Sequence, residues 1–501
     1  MTQTLASLPQ FLATWARRDP DARAVSDGTR SLTWDELDRR VTSVAAWLRR
    51  FSFDGVRAAI LADEGVDWVV GFLATLRAGL VAVPAFAPGR DDAWLAATII
   101  DAAPEIVLTT GDKLLDVRAL LDAAGVEVWR IVAIDTVPGD LFDLDEPDPA
   151  DIACLCYTSD SVGVVITHAG LVDSAAHTAG ALRLGDRAAV VVNWLPLCQM
   201  GLPFAVAAPV FAGCPSVHLP PDRVRERPEI WLRALAANPG AVTAAANSFL
   251  ARCPVPDALD LGGVRAVLDV GEPARHRAVL PGSGLRPDAH RAAYGLLEAT
   301  GLVSIGDGPV SSGRPGRAVA IVDPVTRRSL PAGAVGEIWV TGPTVARGYW
   351  RRPAASAETF CALLRDETDA GEPGWWLRTG DVGFLSGGEL TVLGRLENRL
   401  PAGEAAVQAE AVEATIERVV PELLPGSTVV FAVEDEVVVL AEAPGPLTCA
   451  GAVEQAVADG YRLRVRDVHV GLPGSLPRTV AGKPARAACR EAYLASAPAV
   501  S

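Results

Sequence analysis

Lysine is almost missing from this chain, with two among 501 residues against 43 arginines. Arginine carries a planar, permanently charged fork, whereas lysine is a compact point charge on a flexible stem. A lysine kept in such a background asks for a reason, and Lys483 lies in the turn-forming context LPRTVAGKPARAACREAYL. Basic charge is scarce overall: the net charge is −16, which argues against nucleic acid as a partner. Small charged substrates stay open, because they respond to local fields. The eight cysteines, at 154, 156, 198, 214, 253, 361, 449 and 489, form no CxxC repeat and no Cys/His cluster of zinc spacing. Reduced, mostly buried thiols in a cytosolic protein are expected. Cys154 and Cys156, two apart on an apparent strand, are expected on opposite faces. The N-terminus MTQTLASLPQFLATWARRDP has no basic start followed by an apolar core, so no signal peptide is expected. No apolar run is long and unbroken. The stretch from Ala188 to Cys214 is interrupted by Asn193, Pro196, Gln199, Pro203 and Pro209, which suits buried strands and turns rather than a membrane span. A soluble, cytoplasmic protein without membrane contact is expected.

The chain has much to bury: half its residues are hydrophobic and 21% are charged. At this length more than one domain is expected, since single cores seldom grow past roughly 250–300 residues. RAAILA, an apolar-faced segment through Val66, Val69, Val70, Phe72 and Leu76, and LVAVPA read as strand, helix, strand over 57–85. EIVLTT, a helix from about Lys113 to Ala124, and VWRIVAID repeat the pattern. Such alternation implies a parallel sheet covered by helices. An acidic connection follows at 139–153, and a second alternating block runs to about 310. A strand-rich, Gly/Pro-punctuated region occupies about 311–396, and GRLENRLPAGE (394–404) marks a hinge. The expected architecture is α/β: an N-terminal domain over 1–396, with subdomains of about 1–150, 151–310 and 311–396, and a small mobile α+β domain over 397–501. The first two subdomains are expected to be α/β sheets and the third β-rich.

Several segments carry a family signature in one order. SLTWDELDRRV and VGFLATLRAGLVAVPAFAPG open it; YGLLEAT (294–300), GEIWVTGPTVARGYW (336–350), WLRTGDVGFL (376–385), ELTVLGRLEN (389–398) and the Pro-Arg-Thr-x-x-Gly-Lys around Lys483 follow. Together they resemble the acyl-adenylate-forming enzymes, and in particular their fatty acyl-AMP ligase branch.

The resemblance implies ATP/AMP and Mg2+ as cofactors, a carboxylic acid substrate of fatty acyl type, and transfer of the acyl group to an acyl carrier protein. It also implies roles for residues. Asp381 would accept hydrogen bonds from the ribose hydroxyls. Tyr294 and Gly295 would lie near the adenine, with the Gly271-Glu272-Pro273 turn opposite. Thr300 and Arg395 would contact the nucleotide, Glu298 would be the magnesium-associated carboxylate, and Lys483 would bridge substrate carboxylate and α-phosphate. Trp194, Cys198, Gln199, Met200 and Gly201 would line the acyl pocket. The chemistry agrees: a carboxylate must attack an α-phosphate in line, so positioning and charge stabilisation dominate. His168 matches a family histidine, with packing or a turn as its competing role. RRPAASAETFCALLRDETDAGEPGWW (351–376) lies where the branch carries an insertion, and a variable surface loop is the other reading.

The phosphate loop departs from the pattern. Where the family reads Thr-Ser-Gly-Ser-Thr-Gly followed by Pro-Lys-Gly, this chain has Thr158, Ser159, Asp160, Ser161, Val162 and Gly163, and no Pro-Lys-Gly. Glycines let backbone N–H groups converge on phosphates, and a carboxylate repels them. One lost oxyanion donor typically costs about 2.7–4 kcal/mol. WLPLCQMGL (194–202) lacks the usual His-Asp pair. The hinge carries Glu397-Asn398 in place of a basic residue followed by Asp, and PAGEAAVQAEAVEATIE lacks a basic Arg-Gly segment. The main reading is therefore an ATP-using ligase of fatty acyl-AMP ligase type in lipid, polyketide or peptide natural-product biosynthesis. Two alternatives stand beside it: an ATP-independent homologue that binds acyl adenylate, AMP or an acyl-carrier thioester, and a non-catalytic binding partner.

Overall fold

The computed structural model describes residues 7–139, 145–250, 253–256, 259–270, 280–307, 314–315, 318–368, 374–402, 405–479 and 483–496. The strand–helix–strand reading near the start holds: strand Arg57–Ile60, helix Val66–Arg77 and strand Val81–Pro84, then Ile106–Thr109, helix Leu114–Ala124 and Arg130–Ala133. These strands pair in parallel. In the inner three their runs of small and β-branched residues are buried on both faces, as a helix-covered parallel sheet requires, while the edge strand Arg130–Ala133 is only partly buried. The helix Val66–Arg77 is buried almost all round, with Trp68 and Phe72 stacked inside the core.

Among the described residues, three sheets make up the part before residue 397. A seven-stranded sheet runs in the order Gly348–Tyr349, Gly163–Thr167, Ile152–Tyr157, Val81–Pro84, Arg57–Ile60, Ile106–Thr109, Arg130–Ala133. A nine-stranded sheet holds Arg314–Pro315, Gly301–Ile305, His290–Leu296, Ala266–Asp269, Ala241–Ala245, Val190–Asn193, Ser216–His218, Arg23–Ser26 and Ser31–Thr33. The third, antiparallel, has four strands: Ala318–Val322, Gly336–Thr341, Leu377–Ser386 and Glu389–Arg395. The sheets do not follow the subdomain limits expected at about 150 and 310. Residues 23–33 join the second sheet through Val25 opposite Ser216, while 152–167 and 348–349 join the first. Linear alternation along the sequence cannot reveal which sheet an edge strand completes.

After residue 397 come a two-stranded ribbon (Arg399–Ala402 with Ala405–Gln408) and a three-stranded sheet (Thr428–Val433, Glu436–Glu442, Val465–Gly471). Helices Ala409–Val419 and Ala450–Tyr461 pack with this sheet around Val412, Ile416, Val439 and Val453. Cys154 and Cys156 lie on one face, their sulfurs 3.7 Å apart. The expectation of opposite faces was wrong, since residues two apart on a strand share a face. Seven of the eight cysteines are buried and none is paired in a disulfide. Within the stretch 188–214, strand Val190–Asn193, a π-helical turn Pro203–Ala207 and helix Ala208–Ala212 are buried. No helix among the described residues is long and apolar enough to cross a membrane.

Candidate active site

The Thr-Gly-Asp segment lies in strand Leu377–Ser386 and is aimed by local bonds. The Thr379 hydroxyl donates to the Ile338 carbonyl (2.7 Å) and accepts from the Asp381 N–H (3.0 Å). Gly380, at φ +69°, takes the left-handed backbone that a side chain would strain. Arg378 is fixed by the buried Glu337 carboxylate at 2.9 Å. Asp381 is thus held at the strand pairing with Arg395 of the neighbouring strand.

Residues far apart in sequence meet there. The Tyr294 hydroxyl donates to Asp381 Oδ2 at 2.7 Å, and both residues are buried. Arg395 Nε stands 3.5 Å from Asp381 Oδ1 and 3.6 Å from Glu397. Burial pushes the Asp381 carboxyl up to about 6; Arg395, Tyr294 and Lys483 hold it down, and Glu298 pushes it higher. Lys483 lies exposed on the C-terminal segment, and its charge is the smallest of these influences on the carboxyl. Burial, and then the Asp381 charge, raise the Tyr294 phenol well above its ordinary value.

Glu298 and Thr300 follow Tyr294 around a tight turn. The Tyr349 hydroxyl donates to Glu298 Oε1 at 3.1 Å, and burial ahead of the Glu298 charge raises that phenol. Thr300, at φ +53°, donates to the Thr344 carbonyl at 2.6 Å, and its own carbonyl accepts from Ser174. At Gly295 a Cβ would stand 2.6 Å from the Gly301 carbonyl, so that approach requires glycine. A cleft of about 390 Å³ opens beside this group, lined among others by Tyr349, Glu358, Thr359, Gly380, Arg395 and Glu397. Glu358 and Thr359 come from helix Pro353–Phe360 of the segment 351–376. The Gly271-Glu272-Pro273 turn lies outside the described residues. Tyr349 lies in the segment GEIWVTGPTVARGYW, whose letters alone give it no role. Its signal was an aromatic hydroxyl in a matched motif.

The phosphate loop is a closed hairpin. Strands Ile152–Tyr157 and Gly163–Thr167 are antiparallel partners, with 158–162 as the turn. The Thr158 N–H donates to the Val162 carbonyl (3.0 Å), the Ser161 N–H to the Thr158 carbonyl (3.1 Å), and the Val162 N–H to the Thr158 hydroxyl (3.2 Å). Trp94 Nε1 caps the Thr158 carbonyl at 2.9 Å. Three of these turn amides thus point into the hairpin. Ser161 takes the left-handed φ of +55° without being glycine, and Ser159 and Asp160 stand exposed at the tip. Gly163 serves packing: a Cβ would lie 2.9 Å from the Tyr157 ring and 3.1 Å from Trp350.

The expected acyl-pocket residues divide among three apolar clusters, with Met200 packed on the main core. Trp194 packs with Trp231 and Phe249, its indole Nε1 buried without a hydrogen-bond partner. Cys198 is buried with Phe86, Trp94 and Tyr157. Burial, then the Glu64 charge, push its thiol far above the usual range, so it is inert. Gln199 and Met200 are half-buried, and at Gly201 a Cβ would meet the Pro196 carbonyl at 2.5 Å. Glu64 anchors this turn by accepting from the Leu197 N–H at 3.3 Å while paired to Arg90 at 2.5 Å. His168 is the first residue of helix His168–Leu182, which Thr167 caps; it is buried, its imidazole pulled down to about 4 by desolvation, so it is neutral.

A parallel α/β body, a buried Tyr–Asp pair flanked by an exposed arginine, an adjoining carboxylate and a late lysine define a class, the adenylate-forming enzymes. Comparison with known proteins agrees. The family model described as AMP-binding enzyme matches residues 12–350. The long-chain-fatty-acid–AMP ligase FadD23 of Mycobacterium tuberculosis is 33% identical over 573 aligned positions, covering 97% of this chain and 96% of that protein. The 4-hydroxyphenylalkanoate adenylyltransferase of the same organism is 32% identical, covering 93% and 87%. A solved structure from work on fatty acyl-adenylate ligases of E. coli and L. pneumophila superposes with a TM-score of 0.82 at 22% identity, covering 98% of this chain and 99% of that one. The chain belongs to the AMP-binding enzyme family. The FadD23 alignment is longer than the chain, so that relative carries segments absent here.

Proposed function

We propose that this enzyme activates a carboxylic acid, of fatty acyl or related long-chain type, as an acyl adenylate and hands the acyl group to the phosphopantetheine thiol of an acyl carrier protein. The observation that carries the reading is the pair of groups on the Asp381 carboxylate, the Tyr294 hydroxyl at 2.7 Å and Arg395 at 3.5 Å, in a chain that keeps a lysine at 483. Ionised Asp381 would accept the ribose hydroxyls, with Tyr294 and Arg395 setting its orientation. Lys483 would neutralise the two anions that must meet, the acid carboxylate and the α-phosphate, at a site where charge stabilisation is the main catalytic need. No group of three or more metal-ligating side chains occurs among the described residues. One carboxylate plus phosphates and water is an ordinary magnesium arrangement, and Glu298 fits that part. The ion would supply charge neutralisation at the phosphates. The names of the curated relatives, a fatty-acid ligase and an aryl-alkanoate adenylyltransferase, support the substrate class.

The closed hairpin favours a second reading, in which the pocket takes AMP or an acyl adenylate but gives the β- and γ-phosphates little hold. Acid-dependent ATP–pyrophosphate exchange over a panel of acids separates the two, with Lys483→Ala as control. Exchange that disappears in the variant supports the first. Absence of exchange with every acid, alongside AMP binding, leaves the second.

A further inference from the structure

Asn398, which stands where the family carries an acid, has a specific partner. Its Nδ2 donates to Glu410 Oε1 at 2.6 Å. Glu410 is buried in the first turn of helix Ala409–Val419. The same carboxylate oxygen lies 3.3 Å from Arg486 Nη2, and Arg486 Nη1 lies 2.9 Å from buried Glu413. Arg486 opens helix Arg486–Ser496, three residues after Lys483. On the other side of Lys483, Arg478 pairs with buried Glu442 at 2.5 Å, and the Thr479 N–H donates to the Lys483 carbonyl at 2.8 Å. The stretch bearing Lys483 is therefore fastened at both ends to buried carboxylates. Glu410 also reaches the other side of the hinge: a Cβ on Gly394 would stand 2.4 Å from its Oε2. Gly394 directly precedes Arg395, the partner of Asp381.

We propose that Asn398 and Glu410 are positioning residues that tie the Lys483-bearing segment to the hinge beside Arg395, and so set where Lys483 stands relative to the Asp381 site. The contact chain runs from Asp381 through Arg395 and Gly394 to Glu410, and from Glu410 to Arg486, three residues beyond Lys483 in the chain. An acid at 398 would set one carboxylate against another at this junction, in a place shielded from water where like charges repel strongly. The amide instead donates to Glu410 and leaves that carboxylate's charge for Arg486. The role rests on the reading of Lys483 as the lysine that serves the adenylate site, yet the placement itself is measurable without any reaction.

The scarcity of lysine supplies the experiment. The full chain is treated briefly with an amine-acylating reagent, and labelling of Lys483 is read by mass spectrometry against Lys113, which pairs with Asp63 at 3.3 Å. Asn398→Asp and Glu410→Gln each raise the Lys483-to-Lys113 ratio roughly ten-fold, the scale of a lost charge-assisted hydrogen bond. The double variant, with donor and acceptor exchanged, returns the ratio to within about two-fold of the starting protein. Asn398→Ala, which introduces no charge, gives the same rise should Asn398→Asp fail to fold. An unchanged ratio in folded single variants overturns the proposal, as does a double variant no better than the singles. In acid-dependent exchange, Asn398→Asp lowers kcat and leaves KM for acid and ATP near their starting values; a rise in KM alone also overturns it. Normal labelling shifts in a protein that never shows exchange or AMP binding would count against the adenylate function and leave the positioning intact.

Discussion

Asp381 is buried beside a guanidinium, and the balance between the two sets a pH dependence. Its carboxyl moves from 3.8 to about 6, with burial as the largest cause. Between those values the folded protein keeps a proton that the unfolded chain has released. Stability from this group is thus greatest at low pH and lost as pH rises from about 4 to 6. Its capacity to accept ribose hydroxyls is gained over the same interval. AMP affinity, followed by calorimetry, should rise between pH 5 and 7 with a midpoint near 6. Tyr294→Phe removes a donor that favours the ionised form, so the midpoint should move up. Lys483 belongs to the other half of the site. Lys483→Ala should lower acid-dependent pyrophosphate exchange by roughly 10²–10³ while AMP affinity changes little.

At the level of elements, the hairpin 152–167 was half legible. Its composition announced that phosphates would be poorly served, because Asp160 and the missing lysine are visible in the letters. That its amides turn inward is a property of a five-residue turn closed on itself, and no residue type encodes it. Gly163 looked like a phosphate glycine and proves to be a packing glycine. Gly163→Ala should cost about 1–3 kcal/mol of unfolding free energy, read from denaturant midpoints, since the added methyl meets the Tyr157 ring and Trp350. The strand–helix alternation over 57–133 was readable because buried parallel strands and their covering helices each leave a period. The Tyr294–Asp381 bond spans 87 residues and the Asn398–Glu410 bond crosses the hinge, so neither leaves a local pattern.

At the scale of the whole molecule, the C-terminal part hides Glu410, Glu413, Glu417 and Glu442, and Arg486 and Arg478 pair with three of them. Removing one partner strands a buried carboxylate, at a typical cost of about 3–5 kcal/mol. Arg486→Met should therefore lower the melting temperature of the C-terminal unit in calorimetry, and the transition of the larger part should stay in place. The larger part will not divide further. Strands near residues 23–33 complete the nine-stranded sheet, and Gly348–Tyr349, from the stretch that builds the four-stranded sheet, completes the seven-stranded one, so each sheet takes an edge from a distant part of the chain. On the ribosome, Val25 must wait for Ser216, about 190 residues later. At a synthesis rate of roughly 5–20 residues per second, that is a delay on the order of 10–40 s. During that time the first ribbon is a sheet edge with nothing to cover it, and a chaperone is its natural guest.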